Sequence, residues 1–163
     1  LDMTGLQTVE RSDTISLAAL TEEVFCDLDP VAEKHQVRLI QTDGDCTVTG
    51  SYILLYRAVY NLVENAIKYN RPSGSVTVSI HTAESAVLEV TDTGIGISPE
   101  NQEKIFDPFY RVDKSRSRAM GGAGLGLALV SEIARQHNGQ VKVTQSSEKG
   151  STIALILPES TDY

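Results

Sequence analysis

The feature that most constrains the fold of this chain is a stretch of residues 52–70 whose side chains separate into two faces. An α-helix advances by about 100° per residue, and at that spacing one face is apolar and the other is polar. The apolar face consists of Leu55, Ala58, Val59, Leu62, Val63 and Ala66. The polar stripe consists of Arg57, Asn61, Glu64, Asn65 and Lys68. The pattern predicts a long helix, capped by Ser51, that packs its apolar face against a sheet.

The polar stripe has two interpretations. A charge-rich helix face is most often a solvated surface. Asparagine, however, is a mediocre helix former because its side chain competes for backbone hydrogen bonds, and Asn61 and Asn65 stand one turn apart. This spacing favours a role beyond helix stability, in which Asn65 offers an oxygen ligand to a hard cation such as Mg²⁺ and Lys68 pairs with phosphate.

Shorter patterns place the other elements around this helix. Apolar residues at helical spacing predict a helix over residues 17–35, which Pro30 is expected to kink or divide. Strands are predicted over residues 37–40, 47–49, 76–80, 87–91, 141–144 and 152–157, and helices over 99–105, capped by Ser98, and 125–137, ended by Asn138-Gly139. This order predicts an α/β (α+β) two-layer sandwich, with a mixed sheet covered on one face by three helices.

Composition narrows the class of protein. The chain has 163 residues, 40% of them hydrophobic, which fits one domain. Residues 13–160 are expected to form that domain, and residues 1–12 to be the remnant of a preceding helix or linker. The net charge of −8 argues against a nucleic-acid binder, and no apolar run approaches the ~20 residues of a membrane helix.

The two cysteines, Cys26 and Cys46, show no metal-site spacing. They are interpreted as one buried and one incidental cysteine in a reducing compartment, with a disulfide or a metal site as the alternative.

Two glycine clusters stand next to predicted elements. Residues 92–97 follow a strand, and residues 121–127 lead into a helix. Glycine lets a ligand approach the backbone closely, and the start of a helix attracts anions; a tight turn is the alternative use. Neither cluster matches the dinucleotide fingerprint or the Walker phosphate loop. Asp92 ends a buried strand and needs a hydrogen-bond donor, for which an adenine amino group is suitable.

Five short motifs resemble, in order and spacing, those of the GHKL superfamily and specifically the histidine kinases. They are the N box at residues 61–69, the G1 box at 92–97, the F box at 106–111, the G2 box at 122–127 and a short motif at 150–152. The resemblance implies a Bergerat-type ATP-binding fold, in which ATP lies between the long helix and a flexible lid. It also implies that the γ-phosphoryl group of Mg-ATP is transferred to a histidine.

The resemblance implies roles for matching residues at the base end of the nucleotide. Asp92 would accept a hydrogen bond from the adenine amino group, with Thr152 helping through the same hydrogen-bond network. Tyr69 would pack on the nucleotide. The residues expected to line the base pocket are Gly94, Gly96 and Ile97.

At the phosphate end, the resemblance implies that Asn65 holds Mg²⁺ and that Asn61 supports the metal or the phosphates. Lys68 would contact phosphate. The segment expected to wrap the phosphates contributes Gly122, Gly124, Leu125, Gly126 and Leu127. The residues expected to act in catalysis, by positioning the transferred phosphoryl group and countering its charge, are Asn61, Lys68, Arg111, Lys114 and Arg116.

One position separates the branches of this superfamily. The gyrase, mismatch-repair and heat-shock chaperone ATPases carry a glutamate four residues before the metal-binding asparagine, where it activates water. This chain has Asn61 there, and Glu64 lies about 100° round the helix from Asn65. Attack by water should therefore be slow, which reserves ATP for a protein nucleophile.

The three histidines do not look like phosphoacceptors. His35, His81 and His137 are followed by Gln, Thr and Asn, whereas acceptor histidines of the kinases are followed by Glu or Asp. His35 and His137 are expected at helix ends, and His81 on a strand near a turn. The acceptor is therefore expected on a separate dimerisation domain of the same kinase.

Other functions fit the same motifs. An anti-sigma-factor-type serine kinase would use a different acceptor, a nucleotide-dependent docking module would transfer nothing, and a metabolic ATPase is disfavoured by Asn61. For a histidine kinase the partners would be the dimerisation domain and, indirectly, a response regulator, with no nucleic acid and no direct membrane contact. The resemblance implies a monomeric fragment from the cytoplasmic portion of a membrane-anchored bacterial receptor.

Overall fold

The computed structural model describes residues 13–107 and 126–160. The elements in chain order are β1 (Asp13–Ser16), α1 (Leu17–Lys34), β2 (Arg38–Gln41), β3 (Thr47–Gly50), α2 (Tyr52–Lys68), β4 (Ser75–Ala83), β5 (Ser85–Asp92), α3 (Gly126–Gln136), β6 (Gln140–Ser147) and β7 (Gly150–Leu157). Two 3₁₀ turns, Pro99–Asn101 and Lys104–Phe106, follow β5. The expected remnant at residues 1–12 lies outside the described residues.

Five strands form one mixed sheet in the order β2-β4-β5-β7-β6. The β2–β4 pair is parallel, and the other pairs are antiparallel. Alternate residues of each central strand are buried, which places one face of the sheet in the core. All three helices pack on this face. The predicted two-layer sandwich with a mixed sheet is therefore confirmed.

The long helix α2 forms the centre of the helical layer. Its predicted apolar face is buried along its whole length, from Leu55 to Ala66. The predicted cap is also confirmed, because the Leu54 N–H donates to Ser51 Oγ at 3.4 Å. The polar stripe lies on the opposite side, where Asn61, Glu64, Asn65 and Lys68 are half-buried.

The strand β1 was not predicted from the sequence, and α1 is continuous where a division at Pro30 was one of two expectations. Residues 13–16 pair with β3 in a small antiparallel sheet, although four residues carry too little alternation to predict a strand. Pro30 lies inside a continuous α1 and does not divide it. Pro30 is exposed, and the buried stripe of the helix continues past it to Ala32, so packing holds the helix together beyond the missing hydrogen-bond donor.

The last described residues return to the small sheet. The Ser160 N–H donates to the Thr47 carbonyl at 2.8 Å, and the Ser160 and Thr49 hydroxyls are 2.6 Å apart. Both β1 and the chain at Ser160 therefore bond to β3.

Two further details differ from the sequence-based expectation: the type of helix after β5 and the residue that ends α3. Residues 99–105 form 3₁₀ turns in place of an α-helix, and the Ser98 side chain bonds the Asn101 side chain, not a backbone N–H. Beyond α3, the positive φ of 59° belongs to Asn138, not to Gly139. Gly139 is required for another reason, since a Cβ there would lie 2.1 Å from the Ile156 carbonyl oxygen.

The histidines occupy the structural positions predicted for them. His137 is buried at the end of α3, with Nδ1 2.8 Å from the Ile133 carbonyl oxygen, and its Nε2 accepts the Ser51 N–H at 3.1 Å. The ring is thus the tautomer protonated on Nδ1, and it joins the end of α3 to the start of α2. His35 ends α1, and His81 lies on β4 near the turn.

The cysteines are both free, with Cys46 buried and Cys26 exposed. Residues 13–107 and 126–160 contain no cluster of three or more His, Cys, Asp or Glu side chains that could hold a metal ion. The same residues include no helix long and apolar enough to cross a membrane.

Candidate functional site

The site is built around Asp92, the last residue of β5. Its Oδ1 accepts the Gly94 N–H at 2.8 Å and the Ser151 N–H at 3.3 Å, and its Oδ2 accepts the Ser151 hydroxyl at 3.0 Å. Burial raises the pKa of Asp92, and these hydrogen bonds act in the opposite direction. A carboxylate oxygen can accept two hydrogen bonds. Oδ2 has one donor among the described residues, so it retains a position for a donor from a ligand.

The partner of Asp92 on β7 is Ser151, not Thr152 as the sequence suggested. The register places Asp92 opposite Ser151 and Thr91 opposite Thr152. Because neighbouring side chains of a strand point to opposite faces, the Thr152 hydroxyl bonds Thr91, at 2.9 Å, on the other face of the sheet. The predicted membership of Thr152 in the Asp92 network is therefore wrong. Ser151 could have been found only by fixing the register of β5 and β7.

The loop after β5 is held between α2 and the β6–β7 turn. A Cβ on Gly94 would lie 2.3 Å from the Tyr69 carbonyl oxygen, and one on Gly96 would lie 2.0 Å from that of Ser147. Gly96 also has a φ of 76°, which favours glycine. The Ile97 N–H donates to Ser146 Oγ at 2.6 Å. The structure therefore brings the predicted base-pocket residues of this loop together beside Asp92.

The phosphate-facing residues lie along the polar stripe of α2. Lys68 Nζ is 3.8 Å from a carboxylate oxygen of Glu64. The Asn61 side-chain amide donates to the Gly126 carbonyl at 3.4 Å, so it touches the start of α3. The Asn65 carboxamide makes no hydrogen bond with other described residues. The stripe thus presents an uncommitted amide between a cation and the start of another helix.

A polar junction around the buried Asn70, behind the site, was missed in the sequence. Asn70, two residues beyond α2, is 9% exposed and bonds both Thr93 and the backbone of Ser75. The signal available was an asparagine just past a helix, which a turn explains equally well.

Several predicted residues fall outside the part of the chain that the structure describes. These are Arg111, Lys114, Arg116, Gly122, Gly124 and Leu125. The two remaining members of the predicted phosphate segment, Gly126 and Leu127, open α3, where Gly126 lies beside Asn61 and Leu127 packs on the core. The described phosphate end therefore consists of α2 and the first residues of α3.

Comparison with known proteins shows the family of the chain. Residues 50–161 match the family described as Histidine kinase-, DNA gyrase B-, and HSP90-like ATPase. The chain is 46% identical over 165 residues to the sensor-like histidine kinase SenX3 of Mycobacterium tuberculosis, which covers 97% of this chain and 40% of that protein. It is 38% identical over 168 residues to SenX3 of Mycolicibacterium smegmatis, covering 99% of this chain and 44% of that protein. The chain thus spans less than half the length of these relatives.

Solved structures share the fold. The mycobacterial sensor histidine kinase MprB matches with a TM-score of 0.76 and 28% identity, covering 93% of this chain and 99% of that one. Full-length ShkA, solved in complex with AMPPNP, matches with a TM-score of 0.79 and 24% identity, covering 95% of this chain and 32% of that one. Since the family match spans more than half of the sequence, the chain belongs to the histidine kinase-, DNA gyrase B- and HSP90-like ATPase family, within which it resembles the sensor histidine kinases.

Proposed function

We propose that this chain is the ATP-binding catalytic domain of a sensor histidine kinase, over residues 13–160. In this proposal it transfers the γ-phosphoryl group of Mg-ATP to a histidine on a separate dimerisation domain. The observation that carries the proposal is that a group suited to bind a nucleotide base lies beside groups suited to bind its phosphates. A half-buried carboxylate, that of Asp92, has an acceptor position without a donor among the described residues and stands beside the end of α2, whose polar stripe carries Asn61, Asn65 and Lys68.

The base end supports adenine recognition. Gly94 N–H and Ser151 fix the Asp92 carboxylate, so its free acceptor position points in one direction and costs no reorganisation when a donor arrives. The adenine amino group is such a donor. Gly94 and Gly96 let the loop pack closely on the carbonyl groups of Tyr69 and Ser147, and Tyr69 directly follows α2 at the edge of the same loop.

The phosphate end has the donors that a magnesium–triphosphate group requires. Mg²⁺ prefers oxygen ligands and commonly takes few from the protein, leaving phosphates and water to complete its shell. The half-buried Asn65 amide fits that requirement because it has no described partner. Lys68 pairs with Glu64, but a partly exposed i,i+4 ion pair contributes only about 0.3–0.5 kcal/mol. Lys68 can therefore exchange its ion pair with Glu64 for one with a phosphate at a small cost in free energy.

The groups on the polar stripe of α2 favour transfer of the γ-phosphoryl group to a protein over hydrolysis of ATP by water. Asn61 is not a base, and its amide is engaged with Gly126. Glu64 lies about 100° round the helix from Asn65 and is poorly placed to activate water. An imidazole nitrogen of the acceptor histidine would form the new bond to the γ-phosphorus as the bond to the bridging oxygen breaks, and ADP would leave. Mg²⁺ would supply charge neutralisation on the phosphates, and the chain would supply positioning.

The partners follow from the same proposal. The direct partner is a histidine-bearing dimerisation domain, and a response regulator receives the phosphoryl group next. The histidine kinase ThkA, which shares this fold at 22% identity, is solved in complex with response regulator protein TrrA. We place the domain, as a monomer, in the cytoplasmic portion of a membrane-anchored bacterial receptor. Its net charge of −8 argues against a nucleic acid as a partner.

Incubation with labelled Mg-ATP tests this function. The chain alone is expected to bind nucleotide without becoming labelled, because none of its three histidines resembles an acceptor. Addition of a separately expressed dimerisation domain should yield acid-labile label on that domain. A domain with its acceptor histidine replaced by glutamine is the matched control and should remain unlabelled.

Three results would contradict the proposal. Acid-labile label on this chain alone would place the acceptor here. Label on a serine of a small partner would support an anti-sigma-factor-type kinase. Binding of ATP with no transfer to any acceptor domain would support a docking module.

The affinity for ADP is expected to fall on acidification at a higher pH than an ordinary aspartate would require. Burial raises the pKa of Asp92, and only the ionised form offers both oxygens as acceptors. Affinity should be constant at neutral pH and fall as the pH drops through the raised pKa. Calorimetry across this range measures it, and Asp92→Asn gives the baseline because an amide does not titrate. An identical pH profile for both proteins would contradict the assignment.

The raised pKa of Asp92 affects the stability of the nucleotide-free protein in the opposite direction: acidification lowers the affinity for ADP but removes a penalty on the fold. The folded pKa of Asp92 lies above its unfolded value, so the ionised group destabilises the fold at neutral pH. That penalty is relieved as the pH falls through the folded pKa. Loss of ADP binding at mildly acidic pH therefore does not report unfolding caused by Asp92.

A further inference from the structure

The C-terminal end of α2 is joined to the end of β5 by a polar junction around the buried Asn70. Asn70 Oδ1 accepts the Thr93 hydroxyl at 2.9 Å, and Asn70 Nδ2 donates to the Ser75 carbonyl at 2.9 Å. The Thr93 oxygen in turn accepts the Ser75 N–H at 2.9 Å. Asn70 Oδ1 also accepts the Arg71 N–H at 2.8 Å. One asparagine thus holds together the helix end, the start of β4 and the loop after β5.

The junction has one buried and one exposed member. Asn70 is 9% exposed, so a hydrogen bond that its side chain loses is not easily replaced by water, whereas Thr93 is exposed. A Cβ on Gly74 would lie 2.3 Å from Asn70 Oδ1 and 2.6 Å from Thr93 Oγ1. The glycine therefore lets the backbone close over the two side chains.

The position of the junction gives it a consequence for the nucleotide site. Thr93 directly follows Asp92, and Asn70 lies two residues after Lys68. The orientation of the Asp92 carboxylate depends on Gly94 and Ser151, which are independent of the Thr93 hydroxyl. Loss of that hydroxyl would therefore leave the base pocket intact but loosen it from α2.

We propose that the Asn70–Thr93 hydrogen bond is a positioning contact that sets the spacing between the Asp92 carboxylate and the phosphate-facing end of α2. This inference rests on the proposed nucleotide function and deepens it. The affinity of a ligand that contacts only the base pocket does not depend on this spacing. The affinity of a ligand that reaches from the base pocket to the polar stripe of α2 does depend on it.

The experiment uses the full chain and compares two ligands. Thr93→Val removes the hydroxyl and keeps the shape, whereas Thr93→Ser keeps the hydroxyl. Thr49→Val is the matched control, since it also removes a hydroxyl that makes a hydrogen bond, but in the small sheet with β3. Dissociation constants are measured for ADP by calorimetry and for adenosine by NMR titration, and thermal unfolding is followed in parallel.

Thr93→Val is expected to raise the dissociation constant for ADP about 3- to 10-fold and that for adenosine by less than about twofold. Thr93→Ser and Thr49→Val should leave both constants near those of the parent. Equal weakening of ADP and adenosine, or a lower melting temperature with both constants unchanged, would overturn the inference. So would a Thr93→Ser variant that behaves like Thr93→Val. In these cases the parent still binds ADP and the proposed function stands, whereas a parent that binds neither ligand would remove both.

Discussion

Replacement of Asn65 by Asp is expected to lower the rate of phosphoryl transfer about 100-fold, with the affinity for adenosine changed by less than about twofold. The Asn65 amide lies on the half-buried stripe of α2 without a described partner. A carboxylate there would add negative charge where we propose that the triphosphate and its metal bind. It would also compete with phosphate for Lys68, which already pairs with Glu64 at 3.8 Å. The base pocket around Asp92 would be unchanged.

The rate is measured as label transferred to the separate acceptor domain, and adenosine affinity by NMR titration. Gln140→Glu is the matched control, since it makes the same change from amide to carboxylate at an exposed position. Gln140 pairs with Ile156, five residues along β7 from the partner of Asp92. Transfer by the Asn65→Asp variant at the parent rate would show that Asn65 does not position the metal or the phosphates.

Replacement of Asp92 by Asn is expected to lower the affinity for ADP about 5- to 150-fold, because an unpaired buried polar group costs roughly 1–3 kcal/mol. The single oxygen of the amide would remain with the N–H donors of Gly94 and Ser151. The new NH₂ group would then occupy the position that faces the adenine amino group, so two donors would oppose each other. The loss should be the same with and without Mg²⁺.

Calorimetry with ADP, with and without Mg²⁺, measures the effect of Asp92→Asn. Glu89→Gln is the control, because it also removes a negative charge from β5, but on the opposite face, beside His81. Normal ADP affinity in Asp92→Asn would show that this carboxylate does not recognise the base. If Asn65→Asp also transferred normally, the family resemblance would have misassigned both ends of the site.

The helix α2 could be predicted in detail because one segment carries both its apolar face and its polar stripe. Burial of Leu62 and exposure of the polar stripe follow from a 3.6-residue period that is read locally. The position of Asp92 could be predicted for a similar reason, since a carboxylate that ends a strand pattern stands out without knowledge of its neighbours.

The features that escaped prediction depend on contacts between distant segments. Ser151 faces Asp92 only because of the register between β5 and β7, which no local pattern fixes. The strand β1 is stable because β3 lies beside it, and α1 continues through Pro30 because its buried stripe continues. The Asn70 junction joins residues of three segments, and sequence alone gave no reason to associate them.

The pairing of both β1 and Ser160 with β3 has a mechanical consequence. Near the two ends of the described residues, β1 pairs with β3 and the Ser160 N–H donates to the Thr47 carbonyl of the same short strand. Tension applied between these two points is carried by the small sheet, as a shear on its hydrogen bonds. The load path thus runs through β3 and not through β5 or the stripe of α2. A pull between β1 and Ser160 is therefore expected to load β3 before it loads the strands and the helix of the proposed nucleotide site.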